Sequence, residues 1–224
     1  ISSDSLVEGI HFYPEMKLED LLYKSLQVNL SDLASKGAKP LGALFSLSLP
    51  RSKAKHFDRY LRVFAKECGK EQILLLGGDS TASLSGVFIS VTVFGLINSK
   101  QLKLRSHVKP SHIMAVTDFV GDSSAGLELL NKKIPKPAEK KLVQAHLRPK
   151  AELLAGEWLA SQKAVGAMMD LSDGLGSDLQ RMAEMSQCGF EIELESIPLS
   201  PELNACSLIL SQNLYQYALG GGED

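Results

Sequence analysis

Cysteine is scarce in this chain: 224 residues contain three, Cys68, Cys188 and Cys206, odd in number and far apart. That spacing argues against a disulfide framework and excludes zinc-ligand patterns, and it fits a reducing, cytoplasmic setting. No apolar run approaches the ~20 residues a membrane-spanning helix needs. Charge is never massed either: 24 Lys and Arg against 26 Asp and Glu leave a formal net of −2. Without a basic block, neither nucleic acid nor a membrane surface is an expected partner. No G-x-x-x-x-G-K-[ST] occurs, and no G-x-G-x-x-G follows a strand-like run, so neither a P-loop nor a dinucleotide fingerprint is present. The chain opens on Ile1 with no leader pattern and stops just after three glycines, 220–222; material is expected to be missing at both ends.

What is present is ordinary in bulk, with 44% apolar and 22% charged residues. The length suffices for one large domain or two modest ones. Leucines at 18, 21, 22, 26 and 33 predict a helix over 18–36. "LGALFSLSLP" (41–50) and "GVFISVTVFGLI" (86–97) read as strands, 53–69 as an amphipathic helix, and "EQILLLGGDS" as a buried strand entering a glycine turn. The polar stretch 98–112 marks a boundary, giving an N-terminal domain over 1–107 and a C-terminal domain over 108–224. In the second half, strands are predicted at 112–117, 164–169 and 190–199. Helices are predicted after Gly121, over about 138–161 with a break near Pro149, after Gly174, and over 207–218. The pattern is an α+β domain followed by an α/β domain.

Twice an apolar run is followed by Leu-Ser-Asp, in "VNLSDLASKGAKP" (28–40) and "MMDLSDGLGSDL" (168–179). On the first helix Ser25, Asn29 and Asp32 share one face, within the arc that carries the leucines. A carboxylate there requires a cation. Lys36, four residues on, could supply an ion pair, or a metal could sit on the stripe. Asp4 follows Ile1-Ser2-Ser3, Asp79 follows "ILLLGG", and Asp170 and Asp173 follow "AVGAMM"; all read as strand exits, where open sheets collect ligands. Each alone is more simply a turn or helix-cap aspartate. Together, with serines adjacent and neither His nor Cys among them, they form the hard oxygen set that suits Mg²⁺ rather than zinc.

"GGDST" (77–81) and "GDSSAG" (121–126) are glycine turns that could hold phosphate through backbone N–H groups. Arg105 could reach a phosphate from the inter-domain stretch. His11 stands close enough after Asp4 to line the same cleft, and Glu223 follows the three glycines. The cysteines read as packing residues.

Taken in order, "SSDSLVEGIHF", "VNLSDLASKGAKP", "LLLGGDST", "GDSSAGL", "HLRP", "DLSDGLGSDL" and "LGGGED" resemble the thiamine-monophosphate kinase family across essentially the whole chain. That family belongs to the superfamily of aminoimidazole ribonucleotide and selenophosphate synthetases. The resemblance implies ATP-dependent phosphorylation of thiamine monophosphate to thiamine diphosphate, in a homodimer paired through its N-terminal domains, with nucleotide and several Mg²⁺ ions between the two domains. Matched motif by motif, Ser2, Ser3, Asp4, Asp32, Asp79, Asp170 and Asp173 fall at Mg²⁺ positions. Gly78, Asp79, Arg105 and Ser172 fall at nucleotide positions, and His11 and Glu223 at positions facing the thiamine substrate. Ser80 stands where the family has threonine. The family's Gly-Asp-Asp loop, which lies upstream, has no match here, and after "HLRP" the family's Pro-Arg pair is replaced by Lys150-Ala151-Glu152. Two other readings stay open: a sister synthetase with a different acceptor, and a nucleotide-binding homologue without turnover.

Overall fold

Six leucines, at 18, 21, 22, 26, 30 and 33, recur at helical spacing and are all buried, which is why Leu18–Ala34 folds as helix α1 against a sheet. The computed structural model describes residues 1–130 and 136–222. Gly37, at φ +73°, ends the helical run by letting the Ala38 N–H return to the Leu33 carbonyl at 2.9 Å. A Cβ on Gly37 would stand 2.1 Å from that of Ala160, so the same glycine lets a later helix approach.

Four strands, β1 (Ser2–Val7), β2 (Lys39–Pro50), β3 (Leu74–Ser83) and β4 (Phe88–Leu96), form one sheet in the order β1-β4-β2-β3. β4 runs antiparallel to β1 and β2, whereas β2 and β3 are parallel. A parallel pair needs a crossover; the short helix α2 (Arg51–Ala54) and α3 (Phe57–Lys70) provide it. Alternation along the strands sends Phe45, Leu47, Ile89, Val91 and Val93 toward α1 and α3, and Phe45 stacks on Phe64 with ring centroids 4.1 Å apart. Burial of each such side chain contributes about 1.5–3 kcal/mol. The other sheet face carries Ser3, Ser46, Ser48, Ser90 and Thr92 together with Leu44 and Phe88, which are 38% and 40% exposed.

Two expectations need correction here. Asp4 lies in the middle of β1, and Asp79 in the middle of β3, rather than at strand exits. The "ILLL" run is not buried on both sides, because β3 is the sheet's edge and most of it is exposed.

The second half is built from helices: α4 (Asp122–Leu129), α5 (Pro137–Leu147), α6 (Leu153–Ser161), α7 (Leu175–Ser186), α8 (Pro201–Ala205) and α9 (Leu214–Gly220). Leu129, Leu142, Leu203 and Tyr217 form one apolar cluster and Val120, Leu175, Leu179 and Ile197 a second. The strands expected at 112–117, 164–169 and 190–199 are not assigned among the described residues. Leu194–Ser196 is a 3₁₀ turn, and the helix expected over 207–218 begins only at Leu214. Apolar alternation marks a segment able to pair, but a strand exists only where a partner backbone hydrogen-bonds it. The fold is therefore α+β, its sheet confined to the first half among the described residues.

Candidate active site

In register, Ser2 opposes Val93, Asp4 opposes Val91 and Leu6 opposes Ile89, so these three β1 residues share the helix-covered face. The polar stripe of α1 meets them. Ser2 donates its hydroxyl to Asp32 Oδ2. Asn29, fully buried, accepts the Asp4 N–H at 3.1 Å and donates to the Ser25 carbonyl at 2.9 Å. A stripe of polar groups inside an apolar arc is thus the seam that joins α1 to β1.

Burial pushes the Asp32 carboxyl up to about 6; the Ser2 hydrogen bond opposes that rise, and the negative charges of Asp170 and Asp4 add to it. Lys36 does not give Asp32 a close ion pair. Its Nζ donates to Ser35 Oγ at 2.9 Å, and burial lowers its pKa, with Asp170 and Asp32 raising it and Arg105 lowering it further. Asp4, Asp32, Asp170, Lys36 and Arg105 therefore share one electrostatic neighbourhood, though they come from four distant stretches of sequence. Arg105 is held there through its backbone: Ser186 Oγ donates to its carbonyl at 2.9 Å.

The other expected residues stand differently. Ser3 points to the opposite sheet face, where its hydroxyl lies 2.7 Å from that of Thr92. Asp79 pairs in register with Ser46 on that same outer face, is exposed, and accepts its neighbour's Ser80 N–H at 2.8 Å. Three strand spacings, about 14 Å, separate β3 from β1, so Asp79 stands apart from the Asp4–Asp32–Asp170 group. Gly78 is required by packing, since a Cβ there would lie 1.7 Å from the Phe45 carbonyl oxygen. His11 is exposed and accepts the Val7 N–H on Nδ1 at 3.0 Å, which places it beyond the far end of β1 from Ser2. Ser172 and Asp173 are exposed on the turn before α7. Glu223 lies outside the described residues.

Three glycine-rich motifs converge on that turn. A Cβ on Gly222 would strike the Ser172 carbonyl oxygen at 1.8 Å, one on Gly221 the Ser124 Cβ at 2.0 Å, and one on Gly174 the Gly221 carbonyl oxygen at 2.7 Å. "GDSSAG", "DLSDG" and "LGGG" are glycine-rich because their backbones touch. Beside them, a cleft of about 1020 Å³ is lined by Ser31 of α1, Ser35 just after it, Asp122, Arg148 and Asp170.

Among the described residues, no three carboxylate, imidazole or thiol side chains stand close enough to chelate a single ion. The donor chemistry nonetheless fits a hard divalent cation. The donors are all oxygens, and the mutually repelling Asp4, Asp32 and Asp170 need positive charge.

Sequence reasoning missed three residues. Arg148 of "HLRP" reaches from the end of α5 to α1, with Nη1 2.8 Å from Asp20 Oδ1, Nη2 3.9 Å from Glu67 and its guanidinium 4.0 Å from the Tyr23 ring centre. Asp178 and Arg181, on α7, grip the 170–173 turn. The only sequence signal for Asp178 was a third aspartate in "MMDLSDGLGSDL", which also reads as an ordinary helix-surface residue.

Residues 1–97 match the family described as AIR synthase related protein, N-terminal domain, and 111–219 match its C-terminal domain. A thiamine-monophosphate kinase of Buchnera aphidicola subsp. Schizaphis graminum is 37% identical, over all of this chain and 68% of that protein. The thiamine monophosphate kinase structure from Aquifex aeolicus superposes with a TM-score of 0.91 at 34% identity, over all of this chain and 75% of that one. A structure described as AaThiL complexed with AMPPCP and TMP gives the same score and identity, over 72% of its chain.

Proposed function

The chain belongs to the thiamine-monophosphate kinase family of AIR synthase related proteins, and on that premise we propose that it transfers the γ-phosphoryl group of ATP to thiamine monophosphate. A phosphate oxygen of thiamine monophosphate attacks the γ-phosphorus, the bond to the β-phosphate oxygen breaks, and thiamine diphosphate and ADP leave. That oxygen is already ionised near neutral pH, so the reaction needs positioning and charge neutralisation more than a general base. The observation that carries this reading is the convergence of Asp4, Asp32 and Asp170 with Lys36 and Arg105. A relative of closely similar fold is described in complex with AMPPCP, an ATP analogue, and TMP.

In this reading Ser2, Asp4, Asp32, Asp170 and Asp173 hold Mg²⁺, with Ser3 and Asp79 assigned to the same role by motif. When bound, Mg²⁺ offsets the repulsion between two phosphate-bearing substrates. Arg105 neutralises nucleotide phosphate charge, Ser172 and Gly78 contact the nucleotide, and His11 and Glu223 face the thiamine moiety. Lys36 adds positive charge beside Asp32 and Asp170, short of offsetting the burial that raises the Asp32 carboxyl. The uncovered sheet face, with Leu44 and Phe88 half-exposed beside an open β3 edge, favours pairing with a second copy of the chain. Cys68, Cys188 and Cys206 are free thiols, which favours a reducing, cytoplasmic setting, and no helix of the described residues is long and apolar enough to cross a membrane.

The test is product formation. With ATP and Mg²⁺, thiamine diphosphate and ADP should appear in equal amounts when thiamine monophosphate is present. ATP consumption that requires selenide or formylglycinamidine ribonucleotide instead would assign the chain to a sister synthetase, and binding of ATP without any turnover would leave a nucleotide-binding homologue.

A further inference from the structure

Asp178 is 1% exposed, although it sits in the first turns of α7 beside a wet, acidic loop. An aspartate near a helix start usually caps N–H groups of its own helix. This one reaches back past Gly174. Its Oδ2 accepts the backbone N–H of Ser172 at 2.9 Å and of Asp173 at 3.0 Å, while Oδ1 accepts Arg181 Nη1 at 2.8 Å. The other end of the Arg181 guanidinium pairs with the Asp173 carboxylate. One buried carboxylate and one arginine thus fix both the backbone of the turn and the side chain of Asp173.

Resting on the kinase reading, we infer that Asp178 is a positioning residue for the nucleotide: it sets the direction in which Asp170, Ser172 and Asp173 present their oxygens. A carboxylate buried to this extent is retained only where charge-assisted hydrogen bonds compensate it, and here two of the three bonds go to the backbone of the turn. Gly174, at φ +93° and pressed against the Leu219 and Gly221 carbonyls, gives the chain the fold-back that brings Ser172 and Asp173 over Asp178. Arg181 neutralises Asp173, and the Asp178–Arg181 contact keeps the guanidinium in place to do so.

Amide hydrogen exchange and steady-state kinetics on the Asp178→Ala and Asp178→Asn variants test this. In Asp178→Ala, exchange over 168–175 should accelerate roughly ten- to hundredfold, the equivalent of one charge-assisted bond lost at each of the two amides, with the β1–β4 amides unchanged. KM for ATP should rise about tenfold, while KM for thiamine monophosphate stays within about twofold. Asp178→Asn keeps an oxygen that can accept both N–H groups, and should retain protection within about threefold of wild type and restore most of the ATP KM. Unchanged exchange in Asp178→Ala would overturn the inference, as would equal rises in both KM values. If Asp178→Ala does not fold, Asp178→Asn decides: lost protection there overturns the inference, because the accepting oxygen would still be present. The exchange result does not depend on which acceptor the enzyme uses, so absence of thiamine monophosphate phosphorylation would fell the kinase reading and leave this measurement intact.

Discussion

Ser2 hands its hydroxyl hydrogen to Asp32, joining the first residues of the sheet to the last turn of the first helix, beside the charges of Asp4 and Asp170. The carboxylate is thereby built in and left electrostatically uncomfortable. Such a group costs stability when ionised and becomes comfortable when a cation arrives.

That discomfort has a sign. Burial, then Asp170 and Asp4, raise the folded pKa of Asp32 to about 6, above its unfolded value. Between those values the folded state holds a proton that the unfolded state has lost, so this contribution to stability falls as pH rises toward about 6. Asp32→Asn should therefore be as stable as wild type near pH 4 and more stable at pH 7, by up to about 1 kcal/mol after solvent screening, or roughly 2–4 °C in Tm. The Mg²⁺-induced rise in Tm should grow with pH through about 6 in wild type and flatten in Asp32→Asn. Calorimetry across pH 4–8 with and without MgCl₂ checks both.

His146 predicts the opposite slope. Burial, with help from Lys24, lowers its pKa to about 4, and its Nδ1 lies 3.2 Å from Ser123 Oγ. The unfolded chain takes up a proton near its ordinary value while the folded chain resists. The contribution is fully present above about pH 6.5 and is lost as pH falls toward 4, by up to about 3 kcal/mol. Denaturant titrations at pH 7 and pH 4.5 should show that loss in wild type and a much smaller one in His146→Gln.

Arg148, at the end of α5, reaches α1 through Asp20 and the Tyr23 ring and α3 through Glu67. Arg148→Ala should cost about 2–4 kcal/mol, because Asp20 and Glu67 lose a partly buried partner. Lys should rescue little, lacking a planar fork that can reach two carboxylates and stack on a ring. Urea midpoints of the two variants decide this.

Gly78→Ala should be severe, with a loss above about 3 kcal/mol or a displaced β3, since its Cβ would collide with the Phe45 backbone oxygen. Gly69→Ala in α3, where nothing lies within 4 Å of the new Cβ, should instead stabilise by about 0.4–1 kcal/mol. Comparing Tm values separates a glycine needed for close approach from one that is dispensable.

Much of the first half was legible in sequence. The leucine spacing of α1 and the alternation of β2 and β4 each specify a face, and in those elements the face alone dictates what is buried. The second half was less so. Residues 112–117, 164–169 and 190–199 alternate as strands do, yet periodicity names no pairing partner. For the site, Ser25, Asn29 and Asp32 could be placed on one stripe because a helix is a local object. The separation of Ser3 from Ser2 and Asp4 follows from strand alternation once β1 is known to start at Ser2, not after it. The edge position of β3, which exposes Asp79, depends on strand order, and nothing local encodes that. Asp178 escaped notice because its partners are backbone N–H groups, which every residue but proline has.

The central claim is that Asp32 is retained at a stability cost for phosphoryl transfer. It is tested most directly by measuring thiamine diphosphate formed from ATP and thiamine monophosphate by wild type and Asp32→Asn at limiting Mg²⁺. Wild type should form it, and the variant should do so at a rate at least about a hundredfold lower, with its fold intact and its Tm no lower than that of wild type. Turnover by Asp32→Asn within about threefold of wild type would contradict it.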